Sequence, residues 1–236
     1  MIALSSFVAL LGFVWPFLSL GSAGWLLYLM TPLALISVGY ELHRKRLSAQ
    51  DIALLSVLSA VMAALRPLGT GVAGVEPMWF ILIIAASIYG ARFGFLLGIF
   101  GVIVSAFFTS GIGPWLAYQA FSAAFMGALT GFLGRRFRYI SAVIAAMLFG
   151  LLMDLQFWPF ALGSQTQLSY SSELSITSNL HRFFVYHFTT SMPWDIPRAI
   201  VTVAFMLALG KPISNALTRA KARGSFTVRA MEQKGE

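Results

Sequence analysis

Several ionisable side chains lie in or beside very apolar segments of this sequence, where a charge must be paired. Arg66 ends the run IALLSVLSAVMAAL, Glu76 comes just before a second apolar run, and Asp154 lies inside LLMDLQFWPF. A charge facing lipid at such depth is costly, so we expect Asp154 to face the protein interior or to be protonated. Its role is then either functional or that of a buried interhelical hydrogen bond. Arg66 either snorkels to the headgroups or faces a pocket, paired with Glu76.

Two histidines flank Arg182 in the segment NLHRFFVYHFTT, and imidazoles are common ligands of metals. His181 and His187 are six residues apart, so they do not share one helix face. A third ligand at suitable spacing is missing, which argues against a structural zinc site. Either histidine remains a candidate axial ligand of a metallo-macrocycle. The alternative is an amphipathic helix that lies at the membrane interface.

Large aromatic residues stand beside a helix break in GIGPWLAYQ, residues 111–119. Glycine and proline free backbone groups that a cavity or a ligand has to satisfy inside a membrane. On that interpretation Trp115, Tyr118 and Gln119 line a cavity; a plain tight turn is the alternative. Trp158 and Trp194 with neighbouring Asp195 extend the same outer region. The cluster suits a large, partly flat ligand, or forms an aromatic belt at the headgroups.

Composition identifies the class of protein and excludes several kinds of chemistry. The 236 residues are 58% hydrophobic and only 10% charged, with a mean hydropathy of +0.82, whereas soluble domains are about 25% charged. Cysteine is absent, so disulfides and thiolate chemistry are excluded. The patterns G-x-x-x-x-G-K-[ST], H-E-x-x-H and G-x-S-x-G are also missing. We therefore predict a protein that is not an enzyme and has no intrinsic cofactor.

The apolar runs predict an all-α integral membrane protein with about eight transmembrane helices. They lie at about 2–18, 25–42, 52–69, 77–90, 93–111, 115–134, 139–162 and 192–213. Three regions follow from them. Residues 1–51 hold two helices and a basic loop, 52–213 hold six helices with a long outer loop at 163–191, and 214–236 form a basic tail.

Basic residues predict the orientation of these helices. Most of the 16 Lys and Arg residues, including HRKR at 43–46 and RRFR at 135–138, fall on one side of the predicted spans. The positive-inside rule places that side, and both termini, in the cytoplasm. The net charge of +8 then reflects topology and contact with membrane lipid. We predict no nucleic-acid partner, because no soluble domain remains to bind one.

A stripe of small residues on the third span predicts a helix-docking face. Ser56, Ala60 and Ala64 recur every four residues, a spacing that lets helices approach closely. The alternative is ordinary packing within the chain.

The ordered set of segments resembles one known family. The Ala60-xxx-Ala64 helix, ALRPLGTGVAGVEPMWF (64–80), GARFGFLLG (90–98), GIGPWLAYQ and NLHRF…WDIPRA are similar to the substrate-binding S component of energy-coupling-factor (ECF) vitamin importers, in versions common in actinobacteria. The resemblance covers roughly residues 52–213, and the first two spans are additional.

The resemblance implies a function that composition alone does not. It implies a subunit of the bacterial cytoplasmic membrane that binds a vitamin in an outward pocket and topples to release it. The expected partners are a transmembrane scaffold, docked at Ser56, Ala60 and Ala64, and two cytoplasmic ATPases. Cobalamin is the first expected ligand, and haem, with His181 or His187 as axial ligand, is the second. An ion-coupled secondary transporter and a non-transporting membrane scaffold are the alternatives from other classes.

Overall fold

The chain is an all-α membrane protein. The computed structural model describes residues 2–18, 48–69, 72–109, 111–162 and 166–232, with isolated positions between 29 and 40. Within these ranges there are helices and no strand. The helices are α1 (Ile2–Val14), α2 (Ala49–Leu65), α3 (Met78–Tyr89), α4 (Ala91–Phe108), α5 (Leu116–Leu133), α6 (Arg138–Ala161), α7 (Ile176–Thr190) and α8 (Met192–Glu232). Short 3-10 turns occupy Trp15–Phe17, Arg66–Gly69 and Arg135–Phe137.

Most of the predicted apolar runs coincide with apolar helices in the structure. Five helical segments are long and apolar enough to cross a bilayer: Ala49–Gly69, Ala91–Phe108, Leu116–Leu133, Arg135–Ala161 and Met192–Arg223. The shorter apolar helices Ser6–Phe17 and Met78–Tyr89 match two more predicted runs. Most of the predicted span at 25–42, and the last residues of the tail, lie outside the described residues.

Helix α3 is the centre of the bundle. It has only 12 residues, or about 18 Å of helix, which is short of a hydrocarbon core of about 30 Å. Every residue from Met78 to Ile88 is buried, and α2, α4, α5, α6 and α8 all contact it. A helix enclosed by protein is expected to be apolar on every side, which explains why the shortest run is among the most hydrophobic.

Helices α4 and α5 approach each other closely at glycine residues. A methyl group added at Gly127 would overlap the carbonyl of Gly94, so the two backbones are in contact there. Small residues allow such approach between membrane helices. The small residues of α5 at this position therefore pack against another helix of the same chain.

The predicted loop at 163–191 contains a helix, in agreement with the amphipathic-helix alternative for this segment. Helix α7 begins after Ser175, whose hydroxyl accepts a hydrogen bond from the backbone of Ser178 at 3.2 Å. Its inner face carries buried residues, namely Asn179, Phe183, Tyr186 and His187. Its outer face carries exposed apolar residues every four positions, namely Ile176, Leu180, Phe184 and Phe188. An outer apolar stripe of this kind suits contact with lipid.

Candidate functional site

A polar pocket of about 250 Å³ lies at one end of the bundle, where the ends of four helices meet. It lies at the end of α2 and of α4, before the start of α3, and at the start of α8. Its lining residues are Arg66, Gly69, Val72, Gly74, Glu76, Thr109, Gly111 and Trp194. Arg66, Glu76 and Trp194 were predicted as substrate-binding residues, and the structure brings these three together.

Arg66 points into the bundle rather than toward the headgroups. Its Nη1 donates to Ser105 Oγ at 2.7 Å, and its Nη2 donates to Gln119 Oε1 at 2.9 Å. Ser105 is fully buried on α4, and Gln119 lies on α5. The guanidinium therefore joins three helices at the edge of the pocket. Of Trp115, Tyr118 and Gln119, it is Gln119 whose side chain accepts a hydrogen bond from this arginine.

Glu76 pairs with a different arginine from the one expected. Its Oε2 accepts from Arg198 Nε at 2.6 Å and from Trp79 Nε1 at 2.8 Å, and it forms no salt bridge with Arg66. Arg66 faces the pocket, but the pairing with Glu76 that this alternative included is wrong. The physical reason is that the start of α8 lies directly beside the 72–76 turn, which brings Arg198 closer.

Gly74 makes that arrangement possible. Its φ of +69° is in the left-handed region that favours glycine. A methyl group there would also overlap the backbone oxygen of Trp194. The turn consequently packs against α8 and holds Glu76 at the pocket.

Asp195 is the most deeply buried carboxylate of the site. Its side chain is 0% exposed, and it forms an ion pair with Arg198. Ser191 Oγ donates to its other oxygen at 2.9 Å. The carboxylate sits against Gly150 of α6, where a methyl group would overlap it. Arg198, which also lies 4.9 Å from the centre of a phenylalanine ring, thus links Asp195 to Glu76 in one ionic network.

Asp154 faces the interior, as expected, and pairs with His187. The His187 Nδ1 and Asp154 Oδ2 atoms are 2.8 Å apart, and the side chains are 7% and 15% exposed respectively. This bond ties α7 to α6. Burial raises the pKa of Tyr186, the neighbour of His187 on α7, and the charge of Asp154 raises it further. Tyr186 is therefore a neutral phenol at physiological pH.

The two histidines are in different environments. His181 is exposed and lines an open cleft of about 710 Å³ on α7, together with Arg182. Arg182 donates to the backbone oxygen of Ser169 at 2.9 Å. Within the residues that the structure describes, no group of three or more His, Asp or Glu side chains is arranged to hold a metal ion.

Two predicted pocket aromatics lie in the core instead. Tyr118 is 1% exposed and packs edge-on against Phe13, with ring centres 5.0 Å apart. Trp158 is fully buried and donates from Nε1 to the backbone oxygen of Leu168 at 2.7 Å. Neither lines the polar pocket. Trp115 is exposed, and its Nε1 donates to the Gly111 oxygen at 3.2 Å.

The predicted docking stripe lies on the outside of α2. Ser56, Ala60 and Ala64 are exposed, whereas Ser59 and Ala63 on the neighbouring stripe are buried. The Ser56 hydroxyl donates to Ile52 O at 3.0 Å within its own helix, so the exposed stripe presents no unpaired donor. It is a smooth face of small side chains.

Comparisons with protein-family models, with curated proteins and with solved structures found no match for this chain. Its function is therefore inferred from its residues and their arrangement.

Proposed function

We propose that this chain is the membrane-embedded substrate-binding subunit of an ECF-type importer in the bacterial cytoplasmic membrane. The observation that carries the proposal is the polar pocket at one end of the bundle. Its charged residues are each held by other partners, so they are fixed in position before a ligand arrives. Preorganised polar groups in a concave site are typical of ligand-binding pockets.

Basic residues at the opposite end of the bundle support the proposed orientation. Arg135 donates to Thr218 at 2.8 Å, Arg138 donates to Ser214 at 3.2 Å, and Lys221 donates to the Ile88 oxygen at 2.6 Å. These contacts gather at the end of α3 that is remote from Glu76. The positive-inside rule assigns this basic end to the cytoplasm, so the pocket faces outward, with both termini inside.

The size of the pocket favours a compact substrate. Pockets for drug-sized ligands measure about 300–1,000 Å³, and this one is about 250 Å³. Cobalamin and haem, the ligands expected from the resemblance, have macrocycles too large for it as it stands. The cleft beside His181, at about 710 Å³, is a larger space than the polar pocket. An absorbance spectrum of the purified protein distinguishes these cases, because corrinoids and haems absorb visible light.

The exposed stripe of α2 supports docking to a transmembrane scaffold that is coupled to two ATPases. Ala60→Trp is expected to abolish uptake by the reconstituted complex while the isolated subunit binds ligand as before, since the bulky ring blocks close helix approach. Ile144→Trp is the matched control, because Ile144 is an exposed apolar residue of α6, and uptake should persist. Loss of binding and uptake together in Ala60→Trp would contradict the docking proposal.

An ion-coupled carrier is the second candidate, and the buried ionic network favours it. Asp154 with His187, and Glu76 with Arg198 and Asp195, place acids inside the bundle, as transporters that couple to protons do. The ion-coupled carrier is tested by measuring substrate uptake into proteoliposomes that contain this chain alone, with an imposed proton gradient. Uptake without ATPase subunits would establish the carrier and refute the importer subunit.

A purified protein that carries no ligand and supports no uptake would favour a non-transporting scaffold.

A further inference from the structure

Two opposite charges line the polar pocket without forming a salt bridge with each other. The Arg66 guanidinium and the Glu76 carboxylate both line it, and their charges interact electrostatically. Each is held by its own partners, Arg66 by Ser105 and Gln119 and Glu76 by Arg198. The pocket therefore presents a fixed positive group and a fixed negative group.

Each of these groups has bonding capacity left for a ligand. A guanidinium has five N–H donors, and Arg66 uses three of them on Ser105, Gln119 and the Val102 oxygen. A carboxylate has two oxygens, and both bonds to Glu76 go to Oε2. Among the described residues nothing bonds to Glu76 Oε1 or to the remaining Arg66 donors. With respect to the described residues, Arg66 therefore keeps unused donors and Glu76 keeps an unused acceptor.

The net charge of Arg66, Glu76 and the two residues linked to Glu76 in the ionic network decides which ligand fits. Arg66 and Arg198 are matched by Glu76 and Asp195, so the four groups are neutral together. A purely anionic ligand at Arg66 would leave the site with one excess negative charge, and a purely cationic ligand at Glu76 would leave one excess positive charge. Burying an unbalanced charge is costly. A ligand with one charge of each sign avoids that cost.

We propose that the pocket selects a compact zwitterion, whose anionic group binds Arg66 and whose cationic group binds Glu76. Trp194, at the edge of the pocket, provides an indole that favours a cation nearby. The proposal rests on the proposed function, because it names the substrate class of the same pocket. A zwitterion of this kind comes from two sources, a free amino-acid-like molecule or the phosphoethanolamine headgroup of a lipid.

Calorimetric titration of the purified full chain in detergent micelles tests the selection. The probes are glycine, β-alanine, 4-aminobutanoate and 6-aminohexanoate, which separate the two charges by increasing lengths. Butanoate and butylamine are the singly charged controls, and glycerophosphoethanolamine represents the lipid headgroup. At least one zwitterion should bind about tenfold or more tightly than either control, because a charge-assisted hydrogen bond contributes that factor. Tighter binding of glycerophosphoethanolamine than of any amino acid would assign the lipid source.

Two substitutions should invert the selectivity. In Glu76→Gln the pocket keeps only the positive group, so butanoate should bind more tightly than the zwitterions. In Arg66→Gln the pocket keeps only the negative group, so butylamine should bind more tightly. Glu173→Gln and Arg219→Gln are matched controls at exposed positions and should keep the wild-type preference. A purely structural role would weaken all probes alike rather than exchange their order.

The outcomes of these experiments distinguish a failure of the zwitterion pocket from a failure of the importer-subunit proposal. Equal binding of butanoate and 4-aminobutanoate by the wild-type chain, or variants that keep the order of preference, would refute the zwitterion pocket. A chain that binds no zwitterion but delivers a neutral substrate to scaffold and ATPase subunits would refute the zwitterion and support the importer subunit. Zwitterion binding without uptake by the reconstituted complex would refute the importer subunit and support the pocket.

Discussion

Arg198 is expected to be the residue whose loss most weakens the fold around the pocket. It is 6% exposed and is paired with Asp195, whose carboxylate is completely buried. In Arg198→Leu that carboxylate keeps one hydrogen bond, from Ser191, and loses its salt bridge. Removing one partner of a buried ion pair costs about 3–5 kcal/mol. Glu76 adds little to that loss, because it is 29% exposed and water can solvate it.

Reversible unfolding in SDS-containing mixed micelles, followed by far-UV circular dichroism, measures the free energy of unfolding. Asp195→Asn alone should cost about 1–3 kcal/mol, since a charged hydrogen bond is lost. The double variant Arg198→Leu, Asp195→Asn should be more stable than the sum of the single losses implies, because no charged carboxylate is left buried. We expect a coupling of about 0.5–3 kcal/mol. Losses that add to within about 0.5 kcal/mol would refute the ion-pair explanation.

Two further substitutions test neighbouring contacts by the same unfolding assay. His187→Asn should lower the free energy of unfolding by about 1.5–3 kcal/mol, because the bond to Asp154 is lost. His181→Asn is the matched control on the exposed side of α7 and should change it by less than about 0.5 kcal/mol; equal losses would contradict the pairing. Gly150→Ala should cost about 1–3 kcal/mol, since its methyl group would overlap the Asp195 carboxylate. An unchanged stability would show that α6 and α8 are not in contact there.

The sequence predicted the membrane spans because hydropathy is a local property. Seven of the predicted runs correspond to apolar helices that the structure describes. Helix α7 was not predicted as a definite element, because Ser, Thr and Asn residues interrupt its apolar positions. Its burial pattern, with His187 inside and His181 outside, follows the six-residue spacing that the sequence already showed.

The partners of the charged residues were harder to predict, since they are distant along the chain. Glu76 and Arg198 are 122 residues apart, and nothing local distinguishes that pairing from the expected one with Arg66. Asp195 and Arg198 are three residues apart on one helix, a spacing at which opposite charges meet. That spacing, together with a basic residue on the outer side, would have identified Arg198 as part of the site.

Burial of the aromatics also depended on tertiary structure. Tyr118 and Trp158 have polar atoms that suit either a pocket or the core. They lie in the core because Trp158 finds a backbone acceptor at Leu168 and Tyr118 packs against Phe13. Trp194 lines the pocket because the start of α8 lies beside the 72–76 turn.

Mass spectrometry of small molecules extracted from the purified protein, with an absorbance spectrum of the same sample, tests the central claim most directly. The wild-type chain should carry a compact molecule with one positive and one negative group, without a visible absorbance band. Arg66→Gln, purified in parallel, should carry much less of it. The same amount of ligand in both proteins, or a corrinoid or haem band in both, would contradict the assignment of substrate binding to this pocket.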